Sequence, residues 1–274
     1  MTTHRNPIRR IWAEGHAVLN GWLSMDSPFS AEIMASAGYD SVTIDIQHGA
    51  VDYNGMLPML QAMRASGVAT MARASWLDPG AIMKILDAGA WGVICPMINT
   101  RAEAERLVSC VRYPPKGNRS FGPTRANFAL GSDYADFADD EVVCLAMVET
   151  AEAMANLDEI VRTPGLDGVY VGPADLTFGL TGRRYRTGFD REEPEMIEAI
   201  QRVIAAAHGA GIRLGLHNGT AAYAAKGVSW GADLVTVSND VRLLAQGAQH
   251  SVAEFRKLVG GAPAMTGSAP VSGY

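Results

Sequence analysis

The chain has little cysteine, no basic run and no long apolar stretch. Its three cysteines, Cys95, Cys110 and Cys144, share no CxxC spacing. Cys95 and Cys144 lie in strand-like apolar runs, where a thiol behaves as a small hydrophobe. That usage agrees with a reducing compartment, and the cytoplasm is the expected location. No apolar run approaches the roughly 20 residues of a membrane span. The N-terminus, MTTHRNPIRR, is basic but lacks the apolar core and small-residue cleavage site of a signal peptide. With a formal net charge of −6 and no dense Lys/Arg cluster, the sequence offers no footprint for nucleic acid or an anionic membrane.

What is present is a chain of 274 residues, 48% hydrophobic, long enough to bury a large core without disulfides. Short β-branched runs alternate with stretches of helical period. The strand candidates are 17–24, 41–47, 68–74, 92–97, 142–149, 168–172, 213–217 and 234–238. Helices are expected at 28–37, 54–66, 79–88, 101–112, 150–162, 193–210, 220–230 and 240–259. Ser27 before Pro28, Asp78 before Pro79 and Thr100 before an acidic turn are N-cap signals. Gly38, Gly67, Gly89, Gly165 and Gly211 fall where helices should stop. Eight regular alternations predict an α/β fold, a single (β/α)₈ TIM barrel, rather than a doubly wound open sheet. The domain spans 17–259, after an N-terminal extension 1–16 and before a tail 260–274 expected to be disordered. Segment 113–140 reads as a long insertion and 176–191 as a second loop.

Barrel enzymes work at the C-terminal ends of their strands. Those ends carry Asp45, Gln47 and His48 after the second strand, Arg73 on the third and Glu149 on the fifth. Gly172, Pro173, Ala174 and Asp175 follow the sixth; His217–Asn218 and Asn239–Asp240 close the last two. Glu149 and Asp175 would repel one another in a shared cleft unless a cation lay between them. A small set of oxygen donors with positions open for water and substrate suits Mg²⁺ or Mn²⁺. The bland reading is that each caps the helix behind it. His48 fits a base that removes a proton from carbon; alone in a loop it could equally be a satisfied polar residue. Arg73 shares parity with Met71 and so points inward, where a guanidinium binds carboxylate or developing oxyanion charge. The only lysines, Lys84, Lys116, Lys226 and Lys257, sit on helices or outer loops, which excludes a Schiff-base mechanism from a barrel strand.

From about Gly21 to about Val259 the sequence resembles the HpcH/HpaI aldolase family, the metal-dependent class II pyruvate aldolases related to citrate lyase β-type enzymes. The resemblance rests on GWLSMDSPFSAEIMASAGYDSVTIDIQHG, DAGAWGVICPM, RYPPKGNRSFGP, VETAEAMANLDEI and PGLDGVYVGPADL. It implies reversible cleavage of a 4-hydroxy-2-oxo acid to pyruvate, or a related acid such as hydroxypyruvate, and an aldehyde, by way of a metal-bound enolate. Glu149 and Asp175 would hold the divalent metal, Mg²⁺ or Mn²⁺, with Co²⁺ a third candidate. His48 would be the base, Arg73 the oxyanion partner, and Asp45 would steady the site from behind. Gly172, Ala174 and Asp175 would hold the substrate carboxylate, and Trp22 would line the donor pocket. Asp87 would assist the base across a subunit interface in a homo-oligomer, a hexamer built as a trimer of dimers. Two departures bear on substrate choice: Met147 stands where the family usually has glutamine, and Gln47 where it has an acid. The alternatives are a CoA-thioester carbon–carbon lyase of the citramalyl or malyl type, with Arg119 and Arg125 for the CoA phosphates, and a silent 2-oxo-acid-binding barrel.

Overall fold

The computed structural model describes residues 4–260. Eight parallel strands close in sequence order: β1 (Val18–Leu23), β2 (Ser41–Asp45), β3 (Ala69–Arg73), β4 (Gly92–Cys95), β5 (Val143–Val148), β6 (Gly168–Val171), β7 (Arg213–Asn218) and β8 (Leu234–Val237). Pairing of Val18 with Leu234 joins β8 to β1 and completes the expected barrel. Strands such as β2, β3 and β5 are buried on both faces, as a sheet sheathed in helices requires.

Alternation along each strand divides the apolar residues into two cores. Outward residues such as Val42, Ile44, Val93 and Leu216 pack under the helices. Inward ones, among them Met71, Ile94, Leu145, Met147 and Tyr170, fill the barrel, joined by Ile8 and Trp12. Those two belong to a helix, Pro7–Ala13, inside the segment read from sequence as a plain extension. Asn6 caps it and also ties it to the carbonyls of Trp91 and Glu141. Small inward residues make room for large ones. A Cβ on Gly215 would lie 2.4 Å from the Tyr170 ring, so β7 must carry glycine for that ring to reach the axis.

The cap signals act as expected. Ser27, Asp78 and Thr100 accept from backbone N–H groups in the first turns of their helices, and Thr100 forms a full capping box with Glu103. Three expectations are corrected, and a fourth segment gains detail. The helix expected at 150–162 breaks into Ala151–Ala155 and Leu157–Ile160, because Asn156 leaves helical geometry to donate its amide to the Asn99 carbonyl. The insertion 113–140 holds helices Thr124–Leu130 and Tyr134–Glu141, anchored by buried Ala126, Tyr134 and Ala138. The loop expected at 176–191 opens inside a helix, Pro173–Thr181, with proline in its first turn. The extension carries the plug helix already described. The tail expectation falls on residues outside those described, apart from Gly260. Among the described residues no helix is long and apolar enough to cross a membrane.

Candidate active site

A cavity opens at the C-terminal ends of the strands. It is lined by Trp22 and Ser24 after β1, Asp45, Arg73, Met147 and Glu149, then Gly172, Ala174 and Asp175, with Phe189, His217 and Asn239 completing the wall. Most residues singled out from the sequence therefore meet. Two do not.

Register explains the meeting. Asp45 lies directly beside Arg73 across the β2–β3 ladder. The pair forms a two-pronged bond, Arg73 Nε to Asp45 Oδ1 at 2.9 Å and Nη2 to Oδ2 at 2.6 Å. Trp22 Nε1 donates to Asp45 Oδ2 at 3.2 Å, and the Arg73 guanidinium sits 5.0 Å from the centre of the Trp22 ring. Burial works to raise the Asp45 carboxyl, but the hydrogen bonds and charge of Arg73 outweigh it and hold the acid below its ordinary range. The arginine is thus a fixed cation, pinned from one side.

On the opposite arc, pairing of Val148 with Val171 sets Glu149 beside Gly172. Glu149 is only 2% exposed, and its Oε1 accepts from Met97 N–H at 2.8 Å. Met97 adopts a left-handed φ of 56° in the turn after β4. The second oxygen points at Gly172, where an added Cβ would come within 2.5 Å of it, so glycine is required for the acid to sit there. Burial lifts the Glu149 carboxyl to about 7, opposed by the Met97 N–H and reinforced by the charge of Asp175. Capping does not explain these acids. Thr150, not Glu149, accepts from Ala153 N–H, and Asp175 lies within the first turn of Pro173–Thr181, whose N-cap is Gly172.

Such a pair fits a divalent cation. A carboxylate raised by burial beside a second acid is relieved by positive charge, and two oxygen donors leave positions for water and substrate. Among the described residues no group of three or more His, Cys, Asp and Glu gathers as a closed metal cage.

His48 does not line the cavity. Asp45 Oδ1 accepts from the backbone N–H groups of Gln47 and His48, folding the chain into a turn that carries His48 to an exposed place on the rim. Asp87 is farther away. It ends the helix Pro79–Asp87 and pairs at 2.7 Å with Arg119, whose side chain is fully buried and also reaches the Tyr134 hydroxyl. Helices return antiparallel to the strands, so this pair stands toward the other end of the barrel from the cavity. Arg125 is likewise engaged, at the Ala88 carbonyl.

Sequence reasoning gave no role to His217, Phe189 or Tyr170. His217 packs edge-on against Trp22, with centroids 4.8 Å apart, and lies 4.4 Å from Phe189. Tyr170 sits directly beneath, its hydroxyl 3.0 Å from His217 Nδ1. A signal existed for the histidine: its parity with Gly215 makes it inward at a strand end. Phe189 lies in an irregular segment with no such periodicity.

Barrel, rim and converging acids define a (β/α)₈ protein with a candidate active site at its strand ends. The chain belongs to the HpcH/HpaI aldolase/citrate lyase family, whose pattern matches residues 19–246. A hydroxypyruvate/pyruvate aldolase of Rhizorhabdus wittichii is 43% identical over 253 residues, covering 92% of this chain and 100% of the relative. A hydroxypyruvate/pyruvate aldolase of Cupriavidus necator is 36% identical, covering 94% of this chain and 96% of its own. Among solved structures, an HpcH/HpaI aldolase/citrate lyase family protein from Burkholderia cenocepacia J2315 superposes with a TM-score of 0.83 at 32% identity. That match covers 91% of this chain and 98% of the other.

Proposed function

We propose that this aldolase reversibly cleaves a 4-hydroxy-2-oxo acid into an aldehyde and pyruvate or hydroxypyruvate, with a divalent metal held by Glu149 and Asp175. The observation that carries the reading is the convergence of those two acids, one of them buried and raised to about 7, across the cavity from the pinned Arg73. Bound there, Mg²⁺, Mn²⁺ or Co²⁺ would supply Lewis-acid polarisation of the keto group.

The chain's own residues do the rest. The first turn of Pro173–Thr181 offers backbone N–H groups around Ala174 and Asp175 to the substrate carboxylate, in the field of a helix N-terminus. Trp22 supplies an apolar wall that excludes water. Arg73, oriented by Asp45, stabilises charge developing on the substrate's oxygen as the carbon–carbon bond breaks. His48 takes the proton from the 4-hydroxyl in cleavage, directly or through a water, and returns it in synthesis. Asp87 would serve His48 only from a neighbouring copy, since its own chain carries it away from the cavity.

Self-association, which the family resemblance would make a hexamer built from dimers, is supported by the last helix. Asp240–Leu258 buries only Asp240, while Leu244, Phe255 and Leu258 are 63%, 64% and 79% exposed. Leu19, on the outward face of β1 beside β8, is also uncovered at 38%. Three buried, unpaired thiols suit a cytoplasmic location. The CoA-thioester alternative is not favoured, because Arg119 and Arg125 are both committed within the fold. A silent barrel is not favoured either, given the aldolase relatives.

The test is a cleavage screen over 4-hydroxy-2-oxo acids, coupled to detection of the released oxo acid. Activity should disappear on exhaustive chelation and return with Mg²⁺, Mn²⁺ or Co²⁺. Full turnover by protein shown to be free of metal defeats the proposal.

A further inference from the structure

A chain of buried hydroxyls runs through the barrel to His217. Ser41 Oγ and Thr43 Oγ1 lie 2.8 and 3.0 Å from Asn20 Oδ1, and Asn20 Nδ2 lies 2.8 Å from Thr236 Oγ1. Thr236 Oγ1 is 2.7 Å from the Tyr170 hydroxyl, which is 3.0 Å from His217 Nδ1. Ser41, Thr43, Asn20, Thr236 and Tyr170 are all 0% exposed. Each proton on this chain must find an acceptor within it.

Counting protons fixes the direction. With Asn20 Oδ1 accepting from both Ser41 and Thr43, its amide donates to Thr236. Reversing that amide would orphan both hydroxyl protons. Thr236 already accepts from Asn20, and its own proton has the Tyr170 oxygen as its acceptor. The Tyr170 proton then goes to His217 Nδ1. In the opposite arrangement, Nδ1–H donates to Tyr170, Tyr170 donates to Thr236, and the Thr236 proton is stranded in a dry interior. So Nδ1 is an acceptor. Burial, and then the nearby charge of Arg73, lower the His217 pKa to about 3, so the ring is neutral at physiological pH. Its one proton belongs on Nε2, which has no protein partner among the described residues, on a side chain that lines the cavity.

The surroundings indicate what that proton meets. Trp22 and Phe189 flank the imidazole with apolar rings, and Met147 contributes a thioether. The His217 edge is a neutral donor in an otherwise apolar stretch of wall. Strand β7 follows β6, so His217 stands next to the place where Asp175 and the helix N-terminus hold the acid end of the substrate.

We propose that His217, held by Tyr170 with its proton on Nε2, donates a hydrogen bond to the C3 hydroxyl of a hydroxypyruvate-type donor and so distinguishes it from pyruvate. This rests on the aldolase reading above. His217 is a specificity residue and Tyr170 the positioning residue behind it.

Two measurements test it. Nitrogen-15 spectra of histidine-labelled protein at neutral pH, with His217 assigned by its loss in His217→Gln, should show a neutral ring protonated at Nε2. A ring protonated at Nδ1, or a doubly protonated ring, overturns the proposal. Second, kcat/KM is compared for hydroxypyruvate and pyruvate with one aldehyde acceptor. His217→Phe should lower the hydroxypyruvate-to-pyruvate ratio by about tenfold, the scale of one neutral hydrogen bond. His217→Gln, which keeps a donor, should recover part of it. Tyr170→Phe should lower the ratio and mix the tautomers in the spectrum. An unchanged ratio in His217→Phe, or in Tyr170→Phe if the first variant does not fold, refutes the role. If the wild type uses neither donor with any aldehyde, the aldolase reading and the hydroxyl ligand fail together, while the spectrum still decides the tautomer.

Discussion

Replacing Glu149 by glutamine should stabilise the metal-depleted protein at alkaline pH. The buried carboxyl titrates at about 7 rather than at its ordinary 4.5. That gap corresponds to about 3 kcal/mol, at about 1.4 kcal/mol per pH unit. A raised acid holds more protons in the folded state than in the unfolded state between those two values. Stability of the metal-depleted enzyme therefore falls as pH rises from 4.5 through 7, and it stays low above that. Glu149→Gln keeps the shape and an acceptor for Met97 N–H but carries no charge. At pH 8 it should exceed the wild type by up to about 3 kcal/mol, or about 6–12 °C in Tm for a domain of this size. The difference should shrink toward pH 5. The assay is thermal unfolding of chelator-treated wild type and variant across that range, repeated with added Mg²⁺ or Mn²⁺. The ion should raise the wild-type Tm at pH 8 and leave the variant almost unmoved. Parallel melts at all pH values, or a variant that gains as much from the ion, would refute both the buried-charge argument and the assignment of Glu149 to the metal.

His48→Ala and Arg73→Ala should each cripple cleavage, by about 10²–10⁴-fold for a base and about 10²–10³-fold for an oxyanion donor. They should differ in calorimetry with metal present: His48→Ala binds oxalate like the wild type, and Arg73→Ala binds it more weakly. Near-wild-type cleavage by His48→Ala removes the histidine from the mechanism. Asp87→Ala leaves the Arg119 guanidinium buried and unpaired and should lower unfolding stability by about 3–5 kcal/mol, measured in urea. A variant of unchanged stability shows that the pair does not persist in solution.

The sequence alone was sufficient for the barrel, because the evidence for it is local. Cap residues at Ser27, Asp78 and Thr100, stop glycines such as Gly67, and eight short β-branched runs each report on a few neighbours along the chain. Parity with Met71 placed Arg73 inward, and strand-end position singled out Glu149 and Asp175. Tertiary structure decided whatever depends on residues distant in the chain. The environment of Glu149 is set by Met97 and Gly172, just beyond the ends of the two strands flanking its own. The tie between Asp45 and Arg73 is a matter of register between β2 and β3. Asn156 broke a helix for a partner 57 positions earlier. His217 acquired a defined tautomer only because Tyr170, Thr236 and Asn20, from three other strands, meet on the barrel axis. Periodicity says which way a side chain points; what it meets there depends on how the strands are paired.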